Sequence, residues 1–223
     1  MSGEQASAGL RGMVENVVSL FQPAIPTAYK KRSFLEFELP VDHASLLTEY
    51  ESIPEEAWSG SYWNKVHTSI STLLLRGGTS GSQSDYWSRQ VEDAPILQAL
   101  PCFRALLGAD GPFGEATYAF IFRMKPAGVA LRHKDGAWAW KSRYRIHVPL
   151  ITNPGAFLIA DDRSLHLTTG SAWTFDNQQE HGVVNGDETR VHLIFDVPFS
   201  MSMASQFDRA RYHPGQVHAE HLA

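Results

Sequence analysis

The second half of the chain follows a rhythm that few folds accommodate. From Ala116 onward, short runs of β-branched, aromatic and aliphatic residues are separated by turn residues roughly every eight to twelve positions. The pattern predicts six or so strands, over Thr117–Met124, Tyr144–Ile151, Ala156–Ala160, Leu165–Thr168, Ala172–Phe175 and Arg190–Val197. Turns are expected at Lys125-Pro126-Ala127-Gly128, Asn153-Pro154-Gly155 and Asn185-Gly186-Asp187. Many short antiparallel strands preceded by helices point to a mainly β fold with flanking helices, a double-sheet barrel or jelly roll.

The first half is mixed. Leu10, Met13, Val17, Val18 and Phe21 fall at helical spacing until Pro23 and Pro26, so residues 1–30 are expected to be a flexible segment with a short helix. Phe34, Phe37, Leu39 and Val41 suggest an extended segment, and Asp42 can cap a helix carrying Leu46, Leu47 and Tyr50. Thr68 to Leu75 is rich in β-formers and runs out at Gly77-Gly78. Ile96 to Leu107 reads as one helix closed by Gly108 and Gly111-Pro112. Residues 31–223 are then one domain with its β core at about 116–200.

Composition excludes several classes. Hydrophobic residues make up 43% and charged residues 19%, enough for a core and unlike a disordered chain. The net charge of -5, with no basic stripe, argues against a nucleic-acid partner. Cys102 is the only cysteine, so no intrachain disulfide or zinc ribbon can form; flanked by Pro101 and Phe103, it reads as a small hydrophobe. Met1 to Gly12 lacks the order of a secretion signal, and no apolar stretch approaches the roughly 20 residues of a membrane span. A soluble, cytoplasmic protein without membrane contact is expected.

The chemistry centres on His133-Lys134-Asp135 and His181. On extended backbone, residues two apart point to the same side, so His133 and Asp135 can offer an imidazole nitrogen and a carboxylate oxygen to one ion. A histidine from another strand completes the set. Two histidines and a carboxylate occupy one face of octahedral iron(II), leaving positions for a bidentate 2-oxo acid and for O2. Closed structural metal sites lack such openings. An isolated His-x-Asp also suits a surface turn pair. Against that reading, this is the only such motif among 10 histidines, and it follows a turn after a strong strand. Beyond His181, Arg190 offers a bidentate fork to the distal carboxylate of a 2-oxo dicarboxylate.

Strand alternation sorts the remaining polar residues. Tyr144, Ile146, Val148 and Leu150 share one face, leaving Arg143, Arg145 and His147 on the other. Val191, Leu193, Phe195 and Val197 likewise leave Arg190 and His192 opposite. Such pairs on two strands line a polar pocket, unless that face is solvated.

The stretch from Met124 to Asp135, then Tyr144-Arg-Ile-His-Val-Pro-Leu-Ile-Thr-Asn153, Gly170-Ser-Ala-Trp-Thr-Phe-Asp-Asn-Gln-Gln-Glu-His181 and Thr189-Arg-Val-His-Leu-Ile-Phe-Asp-Val197 resembles the aspartyl/asparaginyl β-hydroxylase family, which includes bacterial free-proline hydroxylases. The resemblance covers roughly residues 116–200. It implies a double-stranded β-helix and iron at His133, Asp135 and His181. It also implies 2-oxoglutarate held by Arg190, Arg145 and His147, with Met124 as a further co-substrate contact. His192 is grouped with them, and Arg143 falls at a substrate contact. Unlike the animal peptidyl hydroxylases of the family, this chain keeps the carboxylate ligand, Asp135, and has Phe122 where they place a small polar residue. The longer proline hydroxylases continue into a C-terminal helical domain, which this chain is expected to lack. Halogenases related to these enzymes replace the carboxylate to admit chloride, so Asp135 implies hydroxylation.

The substrate implied is an amino acid, free or within a small peptide. Trp138 and Trp140 can wall the pocket or pack on the core; Trp63 and Arg76 can hold a substrate side chain and carboxylate, or serve core packing and surface charge. Two other classes stay open, a non-catalytic cupin-like binding protein and a zinc hydrolase. The hydrolase needs a general base, and Glu180, next to His181, should point away. His213, His218 and His221 can suggest a second metal site but read better as part of a polar tail.

Overall fold

The structure, a computed structural model, describes residues 34–39, 42–60, 66–67, 69–78, 91–135 and 143–217. The helix expected within residues 1–30, Trp63, Trp138, Trp140, His218 and His221 lie outside these residues.

In chain order, β1 (Phe34–Glu38) leads to α1 (His43–Glu51), a 3-10 turn (Glu55–Ala57), β2 (Ser59–Gly60), β3 (Ile70–Gly77) and β4 (Glu92–Asp93). A second 3-10 turn (Pro95–Ala99) precedes α2 (Pro101–Leu107). The strands β5 (Tyr118–Met124), β6 (Val129–His133), β7 (Arg143–Ile151), β8 (Phe157–Ala160), β9 (Arg163–Leu165), β10 (Ser171–Thr174), β11 (His181–Val184) and β12 (Arg190–Pro198) follow. Helix α3 (Met201–Arg209) and β13 (Arg211–His213) end the described chain.

These strands form two antiparallel sheets. The larger runs β13-β1-β10-β7-β12-β5-β3-β2, with β4 on β3, and the smaller runs β6-β11-β8-β9. Alternation on β5, β7 and β12 drives the layering. Ile121, Ile146, Val148, Leu150, Val191, Leu193, Phe195 and Val197 pack with Leu46 of α1, Phe103 and Leu107 of α2 and Met203 of α3 in one core. Full burial of each such side chain is worth roughly 1.5–3 kcal/mol. The opposite face meets the smaller sheet: Phe120, Phe122, Met124 and Ile194 pack with Ala130, while Trp173 and Phe175 pack with Leu158 and Ala160. This two-sheet jelly roll with helices on one side is the expected fold.

Asp42 caps α1 as anticipated, accepting from Ala44 N at 3.1 Å. The single helix expected over 96–107 is instead a 3-10 turn and a short α-helix. Pro101 has no N–H to donate and disfavours helical backbone at Leu100, which lies at φ -121°, ψ 71°. The Glu49 carboxylate then takes up the first free N–H groups of α2, from Cys102 at 2.7 Å and Phe103 at 3.1 Å. The strand expected over Leu165–Thr168 lies earlier, at Arg163–Leu165, because the chain reverses at Asp161 with φ 55°. Strands β6, β11 and β13 and helix α3 were not anticipated. Among the described residues no helix is long and apolar enough to cross a membrane.

One buried acid ties the edge of the larger sheet together. Glu36 on β1 is 8% exposed and accepts from Ser171 Oγ of β10 at 2.7 Å, His213 Nε2 of β13 at 2.8 Å and Arg211 of β13 at 3.3 Å. Burial pushes its carboxyl up, but the hydrogen bonds from Ser171 and His213 and the Arg211 charge outweigh that and hold it below its ordinary value. A carboxyl lowered in the folded state contributes stability that is present above its unfolded value and lost as pH falls through its folded one. Glu36→Gln should therefore cost about 1–3 kcal/mol in urea unfolding at pH 7, a deficit that shrinks as the pH is lowered through the carboxylate range.

Candidate active site

Pairing of β6 with β11 sets His181 opposite His133, with ring centroids 4.3 Å apart. Close approach needs Gly182, where an added Cβ would lie 2.9 Å from the Ala130 carbonyl oxygen. Asp135 sits just past the end of β6, where its N–H donates to Asn177 O at 3.1 Å and so continues the extended path. The carboxylate lies 3.8 Å from His133 Nε2 and 4.0 Å from His181 Nε2. One ligand atom from each residue falls within 4.8 Å of the others, a spacing a single metal ion can bridge.

The orientation of each of the three side chains is fixed from behind. His133 Nδ1 lies 2.7 Å from Leu131 O and His181 Nδ1 lies 2.9 Å from Gln179 O. A carbonyl only accepts, so both rings carry the proton on Nδ1 and leave the Nε2 lone pair available to a metal ion. Burial, opposed by the Asp135 charge, brings the His181 imidazole down to about 4, which keeps it neutral. Asp135 Oδ2 accepts from Arg145 at 2.9 Å and from Asn177 Nδ2 at 2.8 Å. Burial pushes the Asp135 carboxyl up, but the Arg145 charge and the Asn177 hydrogen bond hold it below its ordinary value, hence ionised.

The three residues open on a cavity of about 100 Å³ between the sheets, which Arg190, His147, Arg145, Met124 and Phe122 also line. Arg190 starts β12 opposite Met124 and is 4% exposed. It donates to His192 Nδ1 at 3.0 Å and has no carboxylate partner among the described residues. Burial brings its guanidinium down to about 9. Both ring nitrogens of His147 are buried without a hydrogen-bond partner among the described residues. Burial, reinforced by Arg145 and Arg190, holds this imidazole well below its ordinary range, so it is neutral.

Other expected residues fall differently. His192 is not part of the cavity lining; it is buried and neutral, and its Nδ1 accepts from Arg190 at 3.0 Å. Arg145 reaches the cavity, but its Nε–H and one terminal NH2 donate to the two oxygens of Asp196 at 2.9 and 3.2 Å, and the other terminal nitrogen donates to Asp135. Arg143 begins β7 with its guanidinium 5.5 Å from the centre of the Tyr118 ring and is not part of the cavity lining. Arg76 is a correction. It is committed to Asp93 at 2.5 Å and to the carbonyls of Leu107 and Ala116 at 2.9 and 3.2 Å, so it ties β3 to β4 and α2, away from the cavity. Glu180 is half-exposed and faces Arg132 at 3.8 Å, outside the cavity lining.

Three residues escaped the sequence reading. Asp196 sits on the same strand face as Arg190, and an acid in an apolar run was a usable signal. Asn177 gave none. His67 lines the cavity, its ring 6.0 Å from that of His133, and burial brings it down to about 4; its stretch has no strand pattern.

Comparison with known proteins gives the chain a family. L-proline cis-4-hydroxylase of Rhizobium meliloti is 23% identical over 159 residues, which are 70% of this chain and 57% of that protein. This chain thus spans little more than half the length of that relative. The crystal structure of an oxidoreductase of the 2OG-Fe(II) oxygenase family from Burkholderia pseudomallei matches with a TM-score of 0.50 at 13% identity, over 78% of this chain and 80% of that one, and shares the fold. The profile of the aspartyl/asparaginyl beta-hydroxylase family matches residues 76–198, more than half of the chain and all of the strands that carry the cavity's polar residues. The chain therefore belongs to the aspartyl/asparaginyl beta-hydroxylase family.

Proposed function

We propose that the protein is an iron(II)- and 2-oxoglutarate-dependent dioxygenase that hydroxylates an amino acid, free or within a small peptide. The observation that carries the reading is Arg190, a guanidinium buried in the same cavity as a His-Asp-His set and lacking any carboxylate partner among the described residues. A buried charge is costly unless compensated, so the cavity is built for an anion. A 2-oxo dicarboxylate satisfies both ends, one carboxylate at Arg190 and the 2-oxo acid group at the metal.

His133, Asp135 and His181 fit iron(II) in residue type, tautomer and spacing. The bound iron would supply activation of O2 coupled to decarboxylation of 2-oxoglutarate, giving succinate and carbon dioxide with one oxygen atom passed to the substrate. The protein's part is to bind, orient and exclude water. Arg190 anchors the distal carboxylate, steadied by His192. His147, with one ring N–H to donate, is suited to a second carboxylate oxygen, and Met124 and Phe122 form an apolar wall beside it. A carboxylate at position 135 supports hydroxylation over halogenation.

An amino-acid substrate is supported by the L-proline cis-4-hydroxylase relative. A cytoplasmic setting is supported by the lone Cys102. The position of Glu180, outside the cavity lining, weighs against a zinc hydrolase that would use it as base.

The direct test is succinate release with iron(II) and 2-oxoglutarate across free amino acids and short peptides. Turnover is expected; iron-loaded protein that binds metal but never releases succinate would favour a non-catalytic binding protein. Asp135→Ala should abolish substrate-coupled turnover, and full activity in that variant would remove the ligand assignment. Arg190→Met removes a charge-assisted contact worth about 1.5–3 kcal/mol, so the Kd for 2-oxoglutarate should rise by more than tenfold with metal affinity unchanged.

A further inference from the structure

We infer that Asp196 is a positioning residue for the metal centre, acting through Arg145 on Asp135; the inference rests on the metal site proposed above. Asp196 on β12 lies directly opposite Arg145 on β7, and its side chain is 2% exposed. Its backbone is pinned by Thr117, whose N–H and hydroxyl donate to Asp196 O at 2.8 and 3.2 Å. Both carboxylate oxygens accept from Arg145, at 2.9 and 3.2 Å, a two-point contact that sets the plane of the guanidinium. The remaining terminal nitrogen then has one direction to point, and it meets Asp135 Oδ2 at 2.9 Å. With Asn177 on the same oxygen, Asp135 is held so that Oδ1 is the oxygen left for the ion.

The arrangement also sets charge. One guanidinium lies between two carboxylates, so Asp196 compensates the cation and Asp135 keeps its negative charge for the metal. Without Asp196, more of the guanidinium charge would fall on Asp135 and oppose a divalent ion at the same carboxylate. A merely structural Asp196–Arg145 pair would affect folding stability and leave metal affinity alone.

The test is calorimetric titration with Co(II), a redox-stable substitute for iron(II), on the full-length chain. Asp196→Asn should raise the Kd for Co(II) by roughly tenfold or more, the size of effect expected when the residues behind a metal ligand are removed. The double variant Asp196→Asn/Arg145→Gln removes the Arg145 cation and should bind Co(II) at least threefold more tightly than Asp196→Asn alone. Co(II) affinity within twofold of wild type in Asp196→Asn, or no recovery in the double variant, overturns the proposal. If Asp196→Asn does not fold, Asp196→Glu serves: it keeps the charge, displaces Arg145 toward Asp135 and should again weaken Co(II), and wild-type affinity would overturn the role. His133→Ala separates the two readings, because Co(II) binding unchanged in that variant means that the metal site itself is wrongly assigned.

Discussion

Antiparallel pairing of β6 with β11 is the contact on which the site depends. It sets His133 and His181 side by side with their Nδ1 atoms facing backbone carbonyls, so the two rings leave Nε2 on the side of Asp135. Register is unforgiving in a strand pair, because a slip of one residue would turn His181 to the outer face and bring Gly182 into its place. The fold guards that register with a glycine where the strands approach most closely and with Asn177, which holds Asp135 through both backbone and side chain.

Around this pair the interior carries an unusual charge pattern. Arg145 is matched by Asp135 and Asp196, whereas Arg190, more deeply enclosed, has only neutral His192 among the described residues. A protein interior does not retain a bare guanidinium without reason, since a hydrophobic residue of similar size would cost less. The imbalance is one that a bound anion would correct. The neutrality of His147, His181 and His192 follows chiefly from the same enclosure, because burial with little water makes the imidazolium unfavourable.

Much of this could be read from the amino acids. The alternation of Val191, Leu193, Phe195 and Val197 against Arg190 and His192 placed the polar pair on the cavity-facing side of the larger sheet, because period-two patterning is a direct record of which face is buried. The triad was legible as a combination of residue types. Its supporting strands were not. Val129–His133 ends in polar residues and His181–Val184 is only four residues long, too short to leave a periodic signature. Arg76 misled for a related reason. An arginine before two glycines looks exposed in sequence, yet strand pairing with Asp93 buries it among carbonyls that only the tertiary fold brings together. The part of Arg145 depended on Asp196, a long-range pairing across strands that strand alternation alone could not reveal.

The central claim is that one cavity holds iron and 2-oxoglutarate together, the iron on His133, Asp135 and His181 and the co-substrate reaching Arg190. Optical titration under argon tests this directly, because chelation of iron(II) by a 2-oxo acid produces a visible charge-transfer band. The account expects this band when 2-oxoglutarate is added to the iron(II) protein, saturating at one equivalent and weakened in Arg190→Met. Iron(II) protein that shows neither the band nor any binding of 2-oxoglutarate would contradict it.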